Sequence, residues 1–365
     1  MDQLEQGRSD PIFAQYIAES LSQGGFVLLD VGAARGVAPA WRCLGDKLCG
    51  YGFDQDAAEV ARLNAIEPAP GFRYVAGFVG LPADHPFAHQ RRGAPRLRRN
   101  PWSRLAVSRW LDIQRARDEG KPIPPNAPRP LPRGEDLGNQ TSESPSVINL
   151  PEFLHAEGVG TVDFLKVDVD GMDFEILQSL AGSYRDLGFL GVGVEVNFFG
   201  SGAETDNTFH NIDRFLKGQG FELLDVTLRR YPVQDLPSPS LRPLPYPAAS
   251  SFGRPLQGDA FYARDICAPW EWEFAESLSA ERLAMAAALF AMFGLPDCAA
   301  EILVTFRDRL APLLDVDRGL ELLAMQAQAG SPTALSYGDY IGRFEAESYA
   351  LGGFYRACPP GDPTR

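Results

Sequence analysis

No stretch of the sequence reaches the roughly 18 consecutive apolar residues that a membrane-spanning helix needs. We therefore expect no membrane span. The first residues, Met1–Gln6, also lack the basic and apolar segments of a secretory signal peptide. A cytoplasmic location is the expectation that follows from both absences.

Cysteine is scarce as well, with five in 365 residues. The number is odd, no Cys-x-x-Cys pair occurs, and no histidine stands at a suitable spacing for joint metal binding. A disulfide framework and a structural zinc site are therefore both disfavoured. We expect reduced, mostly buried thiols and assign no metal ligands.

Basic residues are in deficit, 34 against 48 acidic ones, and the net charge of −14 disfavours general nucleic-acid binding. The exception is a Pro- and Arg-rich insert at about 82–146, where residues 85–134 hold twelve basic and three acidic residues. The insert is interpreted either as a solvated loop or as a lid that recognises an anionic acceptor through arginine. RNA binding is disfavoured because only Trp102 and Trp110 offer stacking surfaces.

Hydrophobic residues make up 45% of the chain, which is typical of a globular protein with a sizeable core. Short apolar runs predict strands over Phe26–Asp30, Gly50–Asp54 and Phe72–Val79. Helical patterns at Ala38–Leu48 and Ala57–Ala65 lie between them. This alternation predicts a parallel sheet with crossover helices.

The pattern resumes after the insert with a predicted helix at Leu150–Glu157. Later strands are predicted over Val162–Val169, Leu190–Val196, Phe221–Thr227 and Gly258–Arg264, with helices over Asp173–Leu180 and Phe209–Gly218. Helical patterns alone follow, over Ser279–Phe293, Cys298–Leu314 and Arg318–Ala329. We predict one domain over residues 1–268 and a helical C-terminal region over 269–365, through which two copies could form a homodimer.

The first candidate motif is the loop Asp30–Gly36. Glycines at positions 32 and 36 let the backbone approach a cofactor and begin the next helix. The loop lacks the middle glycine with which the dinucleotide fingerprint contacts a pyrophosphate. It favours a cofactor without phosphate that has a cationic centre and an amino-acid end, which Asp30 would bind; a capping role for Asp30 is the alternative.

The second candidate is Asp54, which ends the second predicted strand. A carboxylate at this position can accept hydrogen bonds from both ribose hydroxyls of a cofactor. Both NAD and S-adenosylmethionine carry that ribose. The alternative is a helix-capping role, for which Asp56 competes.

The third candidate is a group of three acids, Asp168, Asp170 and Asp173, at the C-terminal end of the strongest predicted strand. Ligands of open α/β sheets bind outside these strand ends. Neighbouring carboxylates need a cation, which could be a sulfonium or amino group of the cofactor, Lys166 or a divalent metal. We favour Asp168 as a cofactor contact and Asp173 as a helix cap.

At this third motif the sequence resembles a known family. Val162–Leu177 is similar to the signature of FkbM methyltransferases, in which lysine, valine or isoleucine, aspartate, valine, an acid and glycine follow one another. Val27–Gly36 and Phe53–Asp54 are similar to the first two strand ends of that family. The resemblance covers about residues 25–80 and 147–265.

This sequence departs from the family pattern at four positions. It has Ala34 where the family usually has asparagine, and Asp54, Asp170 and Asp173 where the family has glutamate. The aspartates keep the negative charge and shorten its reach by one methylene.

The resemblance implies a class I methyltransferase, with a Rossmann-like doubly wound α/β sheet of seven strands, the last antiparallel. It also implies S-adenosylmethionine as cofactor and methyl transfer to a hydroxyl or carboxylate oxygen. Together, the motifs and the resemblance give the candidate cofactor-binding residues Asp30, Gly32, Ala33, Gly36, Asp54, Gln55 and Asp168.

Three residues are candidate catalytic groups, namely Asp170, Glu195 and His210. Glu195 could act as a general base, orient an acceptor hydroxyl or pair with a lysine, and His210 could also serve as a base. Positioning can supply most of the acceleration of an in-line methyl transfer. The clustering of Asp168, Asp170 and Glu195 leaves metal dependence as a weaker hypothesis.

The leading hypothesis is an O-methyltransferase that acts on a hydroxyl of a sugar, glycan or secondary metabolite, with an anionic acceptor among the options. The alternatives are an NAD-dependent oxidoreductase and a catalytically degenerate Rossmann-like protein that binds a glycan or a protein partner.

Overall fold

The computed structural model describes residues 12–22, 24–66, 71–81, 112–123, 147–169, 171–200, 202–231, 253–329 and 334–350. Most of the basic insert lies outside these ranges, and the interpretation of the insert as a lid therefore stays a prediction. Within the insert, residues 112–118 are helical. Asp170 also lies outside the described residues.

Seven strands form the main sheet, in the order β3-β2-β1-β6-β7-β9-β8. They are β1 (Phe26–Val31), β2 (Leu48–Asp54), β3 (Gly71–Ala76), β6 (Phe164–Val167), β7 (Gly191–Asn197), β8 (Glu222–Tyr231) and β9 (Arg254–Ala263). In this sheet, β9 runs antiparallel to both of its neighbours, β7 and β8, and the other strand pairs are parallel. The predicted class I methyltransferase sheet, with its last strand antiparallel, is confirmed. Two short strands, β4 (Phe78–Val79) and β5 (Val147–Ile148), pair separately in parallel.

The helices fall into two groups along the chain. Within the described residues, those before the last strand are α1 (Ile12–Ser20), α2 (Ala57–Ile66), α3 (Leu150–Ala156), α4 (Asp173–Ser179) and α5 (Phe209–Gly218), besides the helical residues 112–118 of the insert. Those described after the last strand are α6 (Trp272–Ser277), α7 (Ala280–Met292), α8 (Pro296–Thr305), α9 (Arg307–Leu310), α10 (Val316–Ala327) and α11 (Tyr337–Ala350). Side-chain caps begin five of these helices, since Asp56, Asn149, Ser279, Asp315 and Ser336 each accept a backbone N–H three residues later.

Three predicted elements differ from the observed ones. The helix expected at Ala38–Leu48 is a 3₁₀ segment, Pro39–Lys47, interrupted by Gly45 at φ 55°. The single helix expected at Cys298–Leu314 breaks at Phe306, whose buried ring stacks on Trp272 with centroids 5.6 Å apart. The third strand ends at Ala76, and the bond from Gly77 N–H to Asp54 O is the last of its ladder with β2.

The main core lies on one face of the sheet. Alternate residues of β1, β6 and β7 point to this face, and Val31, Val167 and Val194 are at most 2% exposed there. Apolar residues of α3, α4 and α5 belong to the same buried cluster. The alternation therefore leaves the other side chains of these strands for the opposite face, where the polar residues discussed below lie.

The chain forms two compact units. The first contains Gly25–Trp41 and Asp46–Asp265, and the second contains α1, Arg42–Gly45 and the helices after Ile266. The division into domains at residue 268 stays a prediction, because compactness alone does not show that either part folds independently. Over the part of the chain that the structure describes, no helix has the length and apolar character needed to cross a membrane.

Candidate functional site

Strand register places the predicted polar residues along one edge of the sheet. Asp30 on β1 stands opposite Lys166 on β6, and Lys166 stands opposite Gly193 on β7. Two residues further along, Glu195 lies on the same face as Gly193 because side chains alternate with a period of two. Gly52 on β2 stands opposite Asp30. Asp54 lies two residues further along β2 and therefore shares the face of Asp30. The carboxyl ends of three strands, β1, β2 and β7, thus carry acidic side chains on one face.

Asp30 and Lys166 form a buried ion pair at this edge. Lys166 Nζ lies 2.8 Å from Asp30 Oδ1 and donates a hydrogen bond to Gly32 O at 3.1 Å. Burial raises the pKa of the Asp30 carboxyl, and the ammonium of Lys166 opposes that rise. Lys166 is therefore the cation that holds Asp30, and together they fix the start of the glycine loop.

Gly32 is required by the chain itself. Its φ is 92°, and a Cβ at this position would lie 2.0 Å from Asp168 O. The loop is further held because Gly32 N–H and Ala33 N–H both donate to Phe53 O. The sequence suggested that Gly32 lets the backbone approach a cofactor. In the structure, the group that lies close to Gly32 is the backbone that follows β6. Gly36 also has a positive φ, 80°.

Asp56, and not Asp54, takes the helix-capping role that the sequence left open between them. Asp56 Oδ1 accepts the N–H groups of Ala58 and Glu59 at 3.0 and 3.1 Å and so caps α2. Asp54 Oδ1 accepts only the Asp56 N–H, at 2.8 Å. Among the described residues, Asp54 Oδ2 has no hydrogen-bond donor. Gln55 between them is exposed.

Asp173 is fully buried and satisfied by the turn in front of α4. Its two carboxylate oxygens accept the N–H groups of Val169 and Gly171, at 3.0 and 3.2 Å. Asn207 Nδ2 donates a third hydrogen bond at 2.8 Å, and Asn207 Oδ1 accepts the Phe174 N–H. Met172 occupies the cap position of α4, so Asp173 stabilises the turn from the first helical position.

Asp168 lies at the centre of this acidic edge. It is half-buried, and its side chain accepts no hydrogen bond from the described residues. Its charge contributes to the raised pKa values of Asp30, Asp173 and Glu195. A cation beside Asp168 would therefore relieve repulsion at three buried carboxyls at once.

Glu195 pairs with an arginine, where the sequence suggested a lysine. Arg229 Nη2 lies 2.8 Å from Glu195 Oε2 and also 2.8 Å from Asp259 Oδ1. Gln257 donates to Glu195 Oε1 at 3.1 Å. Burial raises the pKa of Glu195 to about 7, against the lowering effect of Arg229. Both carboxylate oxygens of Glu195 are thus engaged by other side chains.

His210 lines a cavity just beyond β7. The cavity has a volume of about 430 Å³ and is lined by two glycines together with Asn197, Phe198, Phe199, Thr208, Phe209 and His210. The His210 ring is exposed, and its Nε2 lies 3.4 Å from Thr208 Oγ1. His210 therefore lines this cavity, whereas Glu195 is buried on β7 and is not part of the lining.

No group of three or more His, Cys, Asp or Glu side chains within the described ranges is arranged to hold a metal ion. Sequence reasoning named Asp30, Asp54, Asp168 and Glu195 as candidates, and the structure brings them to one edge of the sheet. Sequence reasoning missed the partners, Arg229 and Asn207. Asn207 carries a local signal, a polar residue shortly before a helix, but Arg229 reaches Glu195 only through strand register.

Several solved structures align with parts of this chain at low similarity. A TehB-like SAM-dependent methyltransferase from Corynebacterium glutamicum is 13% identical, with 69% of this chain and 87% of that chain covered and a TM-score of 0.25. A SAM-dependent methyltransferase from Aquifex aeolicus is 10% identical, with 71% and 92% covered and a TM-score of 0.27. TrmK of M. capricolum, solved with S-adenosylhomocysteine, is 8% identical, with 83% and 97% covered and a TM-score of 0.27.

No curated protein matches the sequence. The family model described as the methyltransferase FkbM domain matches residues 30–223, more than half of the chain. The chain therefore belongs to the FkbM methyltransferase family.

Proposed function

We propose that this protein is an O-methyltransferase that transfers the methyl group of S-adenosylmethionine to a hydroxyl of a sugar, glycan or secondary metabolite. Membership of the FkbM family supports S-adenosylmethionine-dependent methyl transfer and favours it over an NAD-dependent oxidoreductase. The observation that carries the assignment within the site is Asp168, a half-buried carboxylate among three buried acids with no side-chain partner in the described residues.

Asp168 fits the cationic part of the cofactor. A sulfonium or amino group near this carboxylate would compensate the charge that now raises the pKa values of its neighbours. We assign the amino-acid end to Asp168 in preference to Asp30, because Asp30 is already paired with Lys166. Asp30, Gly32, Ala33 and Gly36 then shape the loop that borders the cofactor.

Asp54 fits the ribose. Its Oδ2 is free of other donors among the described residues, and Asp56 already caps the following helix. A carboxylate at the end of the second strand can accept both ribose hydroxyls. Gln55, exposed beside it, would border the adenosine.

Asp54 and Asp168 would hold S-adenosylmethionine, which would supply the acceptor oxygen with an electrophilic methyl group from its sulfonium and become S-adenosylhomocysteine. A neutral hydroxyl must also lose its proton to a base. We assign this role to His210, which lines the cavity, and give Glu195 a positioning role because both of its oxygens are already bound. Asp170 remains a catalytic candidate outside the described residues.

Calorimetry with S-adenosylhomocysteine tests the assignment. The wild-type chain should bind, and both Asp54→Ala and Asp168→Asn should weaken binding by about tenfold or more, since each removes a charge-assisted contact. Asp56→Ala is the matched control, because it removes the helix cap next to Asp54 and should leave the affinity unchanged. Absence of wild-type binding would contradict the cofactor assignment, and titration with a nicotinamide cofactor would then test the oxidoreductase alternative.

A methyl-transfer assay separates the enzyme from a cofactor-degenerate binding protein. The assay measures S-adenosylhomocysteine release in the presence of hydroxylated acceptors, including anionic ones that the basic insert could recognise. A chain that binds the cofactor product and methylates no acceptor would favour the degenerate binding protein. Nucleic acid stays disfavoured as a partner, and a homodimer through the C-terminal helices stays a prediction.

A further inference from the structure

The cavity beyond β7 has the size and wall of a small-molecule site. Its volume, about 430 Å³, falls within the range of roughly 300–1,000 Å³ that is typical of ligand pockets. Three phenylalanines, Phe198, Phe199 and Phe209, contribute to the lining. The rings of Phe198 and Phe209 pack with centroids 5.1 Å apart. Such a wall offers extended apolar contact to a ring-shaped molecule.

One polar atom in this lining is buried and lacks a partner. Asn197 is 6% exposed, and its Nδ2 donates to Asn207 O at 3.4 Å. Its Oδ1 is buried and accepts no hydrogen bond in the part of the chain that the structure describes. Buried amide oxygens in folded proteins are almost always hydrogen-bonded. A donor on a bound molecule would satisfy this oxygen.

The described lining contains no lysine, arginine, aspartate or glutamate. A charged group that entered the cavity would lose hydration without gaining a partner of opposite charge. The lining therefore selects an uncharged group, and it offers an oxygen that accepts a hydrogen bond from it.

The cavity also adjoins the turn proposed to hold the cofactor. Asn197 lies two residues beyond Glu195 on the same face of β7. Thr208 and Phe209, on the other wall, directly follow Asn207, whose side chain bonds Asp173 in the turn after Asp168. A molecule in the cavity is thus next to the acidic edge of the sheet.

We infer that this cavity binds the methyl acceptor, and that the part of the acceptor that enters it is an uncharged ring with a hydroxyl that donates to Asn197 Oδ1. The inference rests on the proposed function and narrows it. An anionic group on the acceptor, if present, lies outside the cavity.

Three probes of similar shape test the inference on the full chain loaded with S-adenosylhomocysteine. Cyclohexanol is neutral and donates a hydrogen bond, methoxycyclohexane is neutral and cannot donate, and cyclohexanecarboxylate is anionic. Saturation-transfer NMR titrations measure the affinity of each. Cyclohexanol should bind best, methoxycyclohexane about two- to tenfold more weakly, as expected for one lost hydrogen bond, and the carboxylate not at all.

Two variants assign the binding to the cavity. Asn197→Ala should lower the affinity for cyclohexanol to that for methoxycyclohexane and leave the affinity for methoxycyclohexane unchanged. Phe209→Ala should weaken both neutral probes by about tenfold or more. Phe344→Ala is the matched control, since this phenylalanine is 59% exposed on α11 and should change neither affinity.

Equal binding of the carboxylate would overturn the inference, and so would an equal loss of both neutral probes in Asn197→Ala, which would mark Asn197 as structural. Calorimetry with S-adenosylhomocysteine on the same variants should give wild-type affinities. If the wild-type chain binds no S-adenosylhomocysteine while cyclohexanol still binds in an Asn197-dependent manner, the ring site stands and methyl transfer is wrong.

Discussion

Lys166 and Asp30 occupy directly opposite positions on β6 and β1, and their side chains meet at 2.8 Å inside the protein. The lysine side chain is 11% exposed and the aspartate side chain 4%. Removing one partner of such a pair leaves an uncompensated buried charge.

Lys166→Met should therefore lower the free energy of unfolding by about 3–5 kcal/mol at neutral pH, as measured by urea denaturation. The double variant Asp30→Asn/Lys166→Met should recover a substantial part of the lost free energy of unfolding, because no unpaired buried charge remains. Equal instability of the single and double variants would show that packing, rather than charge, dominates at this pair.

The stability of the Lys166→Met variant should depend on pH. With Lys166 gone, the buried Asp30 has a pKa raised above its ordinary value of about 3.9, so the folded state binds the proton more tightly than the unfolded state. Stability is then lost as pH rises above that ordinary value. The deficit relative to wild type should shrink towards pH 4 and grow towards pH 8.

Gly32→Ala should destabilise the chain by about 3 kcal/mol or more, because it adds a steric clash with Asp168 O to the strain of a positive φ. Gly158→Ala is the matched control. Gly158 has φ 68°, and no atom lies within 4 Å of its added Cβ. It should lose only about 1–2 kcal/mol in the same denaturation experiment. Similar losses at the two sites would contradict the close approach of the loop to β6.

Glu195 should make stability fall with pH over a defined window. Its pKa is about 7 in the folded chain and about 4.3 when unfolded, so the folded state holds an extra proton between these values. Wild type should lose stability relative to Glu195→Gln as pH rises from about 4.3 to 7, and the difference should then level off. Parallel stability curves across this window would show an unperturbed carboxyl.

Arg264 is a structural residue that composition does not reveal. It is 1% exposed and donates to the backbone carbonyls of Phe189, Gly220 and Gln219. Arg264→Lys should cost about 2–3 kcal/mol in thermal or urea unfolding, because an ammonium cannot match the planar fork. Arg214→Lys, at an exposed ion pair with Glu204, should change stability by no more than about 0.5 kcal/mol. A loss at Arg214 equal to that at Arg264 would contradict this distinction.

Local patterns were sufficient for most strands and helices. Apolar runs flanked by glycine or acids predict β1, β2 and β7 to within two residues at each end. The 3₁₀ segment at Pro39–Lys47 was missed, since a conformation broken at Gly45 has no period of its own.

The sequence likewise predicts one part of the candidate site and misses another. Acids at strand ends are visible in the sequence, because parallel strands bring their carboxyl ends to one edge. Pairings such as Glu195 with Arg229 depend on the register of β8 on β9, which shifts between Leu223 and Asp225 and again after Arg229. A one-residue shift reverses the facing of a side chain, so no periodic pattern could have placed Arg229.

Asn207 connects the turn before α4 with the end of β7. Its side-chain carboxamide bonds Asp173 and Phe174, and its backbone carbonyl accepts a hydrogen bond from Asn197, which lines the cavity. Because Asn207 contacts both regions, we expect the cofactor product and a ring in the cavity each to tighten the binding of the other. Calorimetry with and without cyclohexanol would give this coupling, which must be equal in both directions. The protein would then hold its two substrates together more firmly than either alone, and an abortive encounter with only one of them would be short-lived.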